Sequence, residues 1–184
     1  MGWTYRPPQE RSNMANQGKR FEQDFKSSIP ADTYYLRLHD SSIGFDIKNS
    51  TQRFALKSPF DCVLYRKGRM YCLELKTTLL SSVSYLGSSP MIKEHQTKEL
   101  IKASEYGITS GFILNFRKTE HTYFLPIAQF EFLRQTLGKK SFNEKDLQGL
   151  VIEIPSRKLR VNYRYDLSVL WGCKDAQLIN NSHV

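Results

Sequence analysis

The stretch from Lys57 to Lys76 constrains the fold more than any other part of the chain. Two apolar, β-prone runs, Cys62 to Tyr65 and Met70 to Leu75, flank Arg66-Lys67-Gly68-Arg69, where Gly68 can adopt the positive φ of a tight turn. The segment therefore reads as a β-hairpin. With Lys67 and Gly68 as a two-residue loop, Arg66 pairs with Arg69, and counting outward sets Asp61 opposite Glu74. Strand side chains alternate, so Lys76 shares the face of Asp61 and Glu74. Val63, Tyr65, Met70 and Cys72 line that acidic side, and Leu64, Tyr71, Leu73 and Leu75 the other. A strand pair apolar on both faces belongs in the middle of a covered sheet. Opposed carboxylates with Cβ atoms about 5 Å apart repel unless a cation sits between them. Oxygen donors without cysteine or clustered histidine favour a hard cation, Mg²⁺ or Mn²⁺.

The rest of the chain must supply the covering layers. Its 184 residues, 40% hydrophobic and 12% aromatic, suit one α/β domain with a tail at each end. A net charge of +9 implies an acidic partner, with nucleic acid the first candidate and a membrane surface the competitor. No stretch approaches 18 consecutive apolar residues and the N-terminus carries no apolar signal-peptide core, so a cytoplasmic protein without a membrane partner is expected. Cys62, Cys72 and Cys173 are odd in number and lack metal-ligand spacing; the hairpin register points the first two to opposite faces, as core thiols of a reducing compartment. His39, His95, His121 and His183 are too scattered for a zinc site.

Taken in order, residues 1–12, with Arg6 and Arg11, read as an extended basic arm, residues 13–171 as the folded domain and residues 172–184 as a polar tail. A helix is expected from Asn13 to Ser27, with Phe21 and Phe25 as its core stripe and Glu22 beside it, and a strand from Thr33 to Leu38. Residues 39–51 are polar and aperiodic, suggesting a projecting loop. Thr77 to Pro90 reads as a serine-rich loop, and Met91 to Tyr106 as a helix stopped by Gly107, with Gln96 on its inward stripe, where a buried amide needs a polar partner. Two strands, Gly111 to Phe116 and His121 to Leu125, are joined by a turn from Arg117 to Glu120, and Pro126 starts a further helix. Ser141 to Glu144 resembles a capping box before a short helix over Lys145 to Leu150. Leu159 to Leu167 alternates like a strand, its Arg160 and Arg164 face suited either to tracking phosphates or to plain solvation.

Asp61 preceding Glu74-Leu75-Lys76 at the end of a hairpin resembles the site of the restriction-endonuclease-like nucleases, whose motif is written PD...(D/E)xK, here with one residue inserted between Pro59 and Asp61. Together with Asn16 to Glu22, the Lys67-Gly68 turn and Glu94-His95-Gln96, the order and spacing over Asn16 to Phe132 resemble the RecU family of Holliday junction resolvases. The resemblance implies a single-domain, restriction-endonuclease-like mixed β-sheet flanked by helices. It implies that Asp61 and Glu74, with Leu75 between the motif residues, form the metal site, that Lys76 assists the nucleophile, that Glu22 completes the acidic cluster and that Gln96 positions water or metal. It further implies a homodimer acting on four-way DNA junctions, with 5′-phosphate and 3′-hydroxyl products. Arg6, Arg11, Lys19, Arg20, Arg160 and Arg164 are the candidate phosphate contacts. Leu75 replaces a small residue, harmlessly, since its side chain points away from the metal, and the Arg37 to Lys57 segment is short for the family's projecting stalk. Two alternatives stay open: a nuclease of the same fold acting on ends or flaps, and a DNA-binding protein without catalysis.

Overall fold

The computed structural model describes residues 8–39 and 57–172. Helix α1 (Pro8–Ser27) leads into β1 (Tyr34–Arg37), followed by the hairpin β2 (Cys62–Arg66) and β3 (Arg69–Thr78). Next come β4 (Ser82–Ser84), α2 (Glu94–Glu105), β5 (Thr109–Phe116), β6 (His121–Pro126) and α3 (Ile127–Thr136). The chain continues through β7 (Ser141–Asn143), a 3₁₀ turn (Glu144–Leu147), β8 (Ile152–Glu153), β9 (Ser156–Lys158), β10 (Tyr163–Tyr165) and α4 (Ser168–Trp171).

Six strands form one mixed sheet in the order β1-β2-β3-β5-β6-β8. Only the β3 to β5 step is parallel, because the intervening α2 carries the chain back across the sheet; the remaining neighbours are antiparallel. The hairpin has the expected register, with Arg66 opposite Arg69 and Cys62 opposite Leu73, which leaves Asp61 across from Glu74. Lys67 joins Gly68 at positive φ, 48° and 80°, so both central residues adopt the left-handed conformation of a tight hairpin turn.

Both faces of the sheet are covered. Phe21 and Phe25 of α1 pack on Leu64, Tyr71, Leu73 and Ile113, whereas Leu100 of α2 and Phe130 and Leu133 of α3 pack on Cys72, Phe112 and Leu114. Cys62 and Cys72 are buried, free and on opposite sides, as the alternation required.

Four local expectations change. The helix begins at Pro8, not Asn13, and takes in part of the stretch expected to be an extended arm; proline is well suited to a first helical turn, where its preset φ fits and no N–H is needed. The serine-rich segment contains β4, which pairs with β7. The anticipated helix after Ser141 is a 3₁₀ turn capped by Asn143, whose side chain accepts from Lys145 and Asp146 N–H groups. Residues 159–162 are a turn, closed by Leu159 N donating to Asn162 O at 2.7 Å, so the alternating run is not one strand but the tip and return of the β9-β10 hairpin. Alternation alone cannot distinguish a strand from a turn that continues its polarity pattern. Arg6 and the projecting loop from residue 40 onward lie outside the described residues, as does the polar tail beyond residue 172; Arg11 falls within α1.

Candidate active site

The hairpin and the crossover helix build the site together. β3 sits in the interior of the sheet, so Glu74 is only 2% exposed. Its Oε1 carries two bonds: Lys76 Nζ lies 2.8 Å away and Gln96 Nε2 donates at 2.5 Å. Its Oε2 is buried and has no hydrogen-bond partner among the described residues.

Gln96 reaches Glu74 because it occupies the third position of α2. There its Oε1 accepts from Lys93 N at 3.2 Å, satisfying a free N–H at the helix start, and this bond leaves only the amide donor to face the carboxylate. One side chain thus ties the start of the helix to the sheet.

Asp61 lies immediately before β2, where its Oδ2 accepts from Leu75 N at 2.8 Å and its carbonyl accepts from Leu38 N at 2.9 Å. The first bond holds the Asp61 carboxylate across the hairpin beside Glu74. Burial pushes the Glu74 carboxyl up to about 7, opposed by the Lys76 charge and reinforced by Asp61. At such a position a protonated carboxyl and a carboxylate neutralised by a cation are alternatives.

The structure therefore brings Asp61, Glu74, Lys76 and Gln96 together. Glu22 pairs with Arg37 at the end of β1 within electrostatic range of Asp61, and its carboxyl is raised by burial, with the Arg37 charge opposing and Asp61 adding. Arg37 was not singled out from the sequence, where an arginine at a strand end carries no signal. Lys19 and Arg160 are exposed. Arg20 and Arg164 instead donate to main-chain carbonyls, Val161 and Ser27 respectively, and fasten the β9-β10 hairpin to α1.

The donor set fits a hard cation. Among the described residues no three His, Cys, Asp or Glu side chains form a ready-made cage. Nevertheless, an orphaned buried oxygen on Glu74 beside a second carboxylate offers all-oxygen ligation to a divalent ion. Asp61 and Glu74 would hold it.

Helices flanking a mixed sheet, with two carboxylates and a lysine on its central hairpin, place the chain in the α/β class. Within that class, the family described as Recombination protein U matches residues 26–168, and the chain belongs to this RecU family. The match spans Asp61, Glu74, Lys76 and Gln96 and begins after Glu22. The SPbeta prophage-derived uncharacterized protein YotM of Bacillus subtilis (strain 168) is 32% identical over 172 residues, covering 85% of this chain and 86% of its own. Among solved structures, Archaeoglobus fulgidus Hjc, a Holliday junction resolvase from an archaeal hyperthermophile, is similar with a TM-score of 0.48 and 18% identity, over 74% of this chain and 95% of that one. No helix among the described residues is long and apolar enough to cross a membrane.

Proposed function

We propose that this chain is a divalent-metal-dependent endonuclease that resolves four-way DNA junctions as a homodimer, by paired nicks in strands of like polarity. The observation that carries the reading is Glu74, buried beside Asp61 with one oxygen held by Lys76 and Gln96 and the other without a hydrogen-bond partner among the described residues. Mg²⁺ or Mn²⁺ held by Asp61 and Glu74, with Leu75 at the site, would supply charge neutralisation at the phosphate and acidify the attacking water. Lys76 offers a compact cation at the same point, able to orient water and to oppose the charge that builds as phosphorus becomes five-coordinate. Gln96 holds the rotamer of Glu74, and the Leu75 N–H holds that of Asp61. Glu22 adds negative charge on the Asp61 side of the site, close enough for the Asp61 charge to raise its own carboxyl. The water oxygen bonds to phosphorus as the bond to the 3′ oxygen breaks, leaving a 5′-phosphate and a protonated 3′-hydroxyl.

The basic balance of the chain, +9, suits a DNA substrate, with Arg6, Arg11, Lys19, Arg20 and Arg160 as candidate phosphate contacts, whereas Arg164 is engaged by the Ser27 carbonyl. A two-fold dimer matches the approximate two-fold symmetry of a four-way junction. A reducing cytoplasm suits the free Cys62 and Cys72.

The test is purified full-length chain with Mg²⁺, incubated separately with a mobile four-way junction, a flap and a linear duplex. Symmetric paired nicks in the junction, abolished by a chelator, are expected, from a protein that sediments as a dimer. Replacing residues 39–51 by a short glycine-serine linker should lower junction preference and leave residual nicking. A monomer that degrades linear duplex as fast as junctions would replace this reading with that of an end-processing or general nuclease.

A further inference from the structure

A cavity of about 230 Å³ opens between α1, the β5-β6 turn and the β9-β10 hairpin. It lies on the opposite side of the sheet from Glu74 and Lys76. Thr77, the residue after Lys76, points there by strand alternation and donates through Oγ1 to Asn115 Oδ1 at 2.8 Å, and Asn115 lines the cavity.

Three cations, Arg20, Arg117 and Lys158, face this space against two carboxylates, Asp24 and Glu120. Both carboxylates are occupied. Asp24 Oδ2 accepts from Tyr163 N at 3.2 Å, and Glu120 Oε1 accepts from Lys158 Nζ at 3.1 Å and from Tyr163 Oη at 2.6 Å. Arg20 donates to the Val161 carbonyl and keeps its other donors.

Arg117 is the cation left over. Its Nε is buried without a hydrogen-bond partner among the described residues, none of whose carboxylates forms an ion pair with it, and burial lowers its pKa. Its backbone N–H donates to Thr78 O at 2.9 Å, fixing it against the end of β3, two residues beyond Lys76. An uncompensated, partly buried guanidinium whose planar fork faces an open cavity has the chemistry of a phosphate site.

We propose that this cavity seats one backbone phosphate of the bound DNA, away from the scissile one, with Arg117 as its main contact and Arg20 and Lys158 at its rim. The inference rests on the nuclease reading above. It is tested separately from cleavage, by binding of a labelled four-way junction to full-length chain in chelator over a range of salt concentrations. Arg117→Gln is expected to weaken binding several-fold at low salt and to flatten the log-log salt slope by about 0.9, one phosphate. Arg117→Lys should recover part of both. Should Arg117→Gln fail to fold, Lys158→Gln carries the test, again with a flatter slope expected.

An unchanged slope and affinity in a folded variant overturns the assignment. So does inorganic phosphate raising the wild-type melting temperature while the variants leave the DNA slope untouched, which would mark a small-anion site. Wild-type chain that binds no DNA at all would instead overturn the nuclease reading itself.

Discussion

Gln96 Nε2 donates to Glu74 Oε1 at 2.5 Å while Gln96 Oε1 accepts from the backbone N of Lys93, so a single amide links the start of α2 to the buried carboxylate of β3. The two ends of the amide are not interchangeable, because the backbone N–H claims the oxygen. Gln96→Ala should therefore slow cleavage about 10- to 100-fold by releasing the Glu74 rotamer, while costing the fold only about 1 kcal/mol through the lost cap. Gln96→Glu keeps the cap and sets a third carboxyl against Glu74, so it should be the slower enzyme of the two. Single-turnover rates beside melting curves separate these effects; equal rates for wild type and Gln96→Ala would show that the contact does not position Glu74.

Glu74→Gln removes the buried charge but retains the shape and a hydrogen-bonding oxygen. It should abolish divalent-dependent cleavage, leave junction binding intact or tighter because repulsion of phosphate is relieved, and stabilise metal-free protein near neutral pH. Asp61→Asn should also abolish cleavage, with its side-chain oxygen still able to accept from Leu75 N–H. Lys76→Ala should block turnover and spare metal binding. Calorimetric Mn²⁺ titration of the three variants, alongside a cleavage assay, distinguishes ligands from Lys76, and retained cleavage by either carboxylate variant at ordinary Mg²⁺ would remove the metal-site assignment.

The Glu74 carboxyl lies at about 7 in the folded chain, against an ordinary 4.5, chiefly because it is buried. The folded state thus binds this proton more tightly than the unfolded state. Below about 4.5 both states are protonated and nothing is lost; as pH rises towards about 7 the folded state comes to carry a costly buried charge, and metal-free stability falls by roughly 1 to 3 kcal/mol, the loss being complete above 7. Glu22, raised in the same direction, adds to the slope. Melting temperature in chelator should accordingly drop between pH 4.5 and 7, with a shallower drop in Glu74→Gln and in wild type saturated with Mg²⁺. A pH profile identical in wild type and Glu74→Gln would contradict the burial of this charge.

Arg160 and Arg164 look equivalent in the sequence and should behave oppositely. Arg164 donates to the Ser27 carbonyl and holds the β9-β10 hairpin on α1, whereas Arg160 is exposed in the turn. Arg164→Ala should destabilise the fold by about 1 kcal/mol with little change in the salt dependence of DNA binding, and Arg160→Ala should leave stability alone and flatten the salt slope. Denaturant midpoints and salt-dependent binding on the same two proteins decide it; the reverse pattern would exchange their roles.

Much of the site's frame was legible because it is local. The pairing of Asp61 with Glu74 follows from a two-residue turn and the period of a strand, and the sidedness of Cys62, Cys72 and Lys76 follows from the same count. The inward position of Gln96 followed from helical spacing. The physical state of those residues was decided elsewhere. Glu74 has its raised pKa because α2 and the neighbouring strands exclude water from it, and Gln96 aims its donor at Glu74 because Lys93 N occupies its acceptor. Arg20 is turned to a carbonyl 141 residues away and Arg164 to one 137 residues away, contacts no periodicity encodes. Likewise Arg117 reads as an ordinary turn residue until α1 and the β9-β10 hairpin close over it. Local pattern sets register and facing because neighbouring residues share one backbone geometry, whereas burial, partner choice and charge compensation arise only when distant segments pack together.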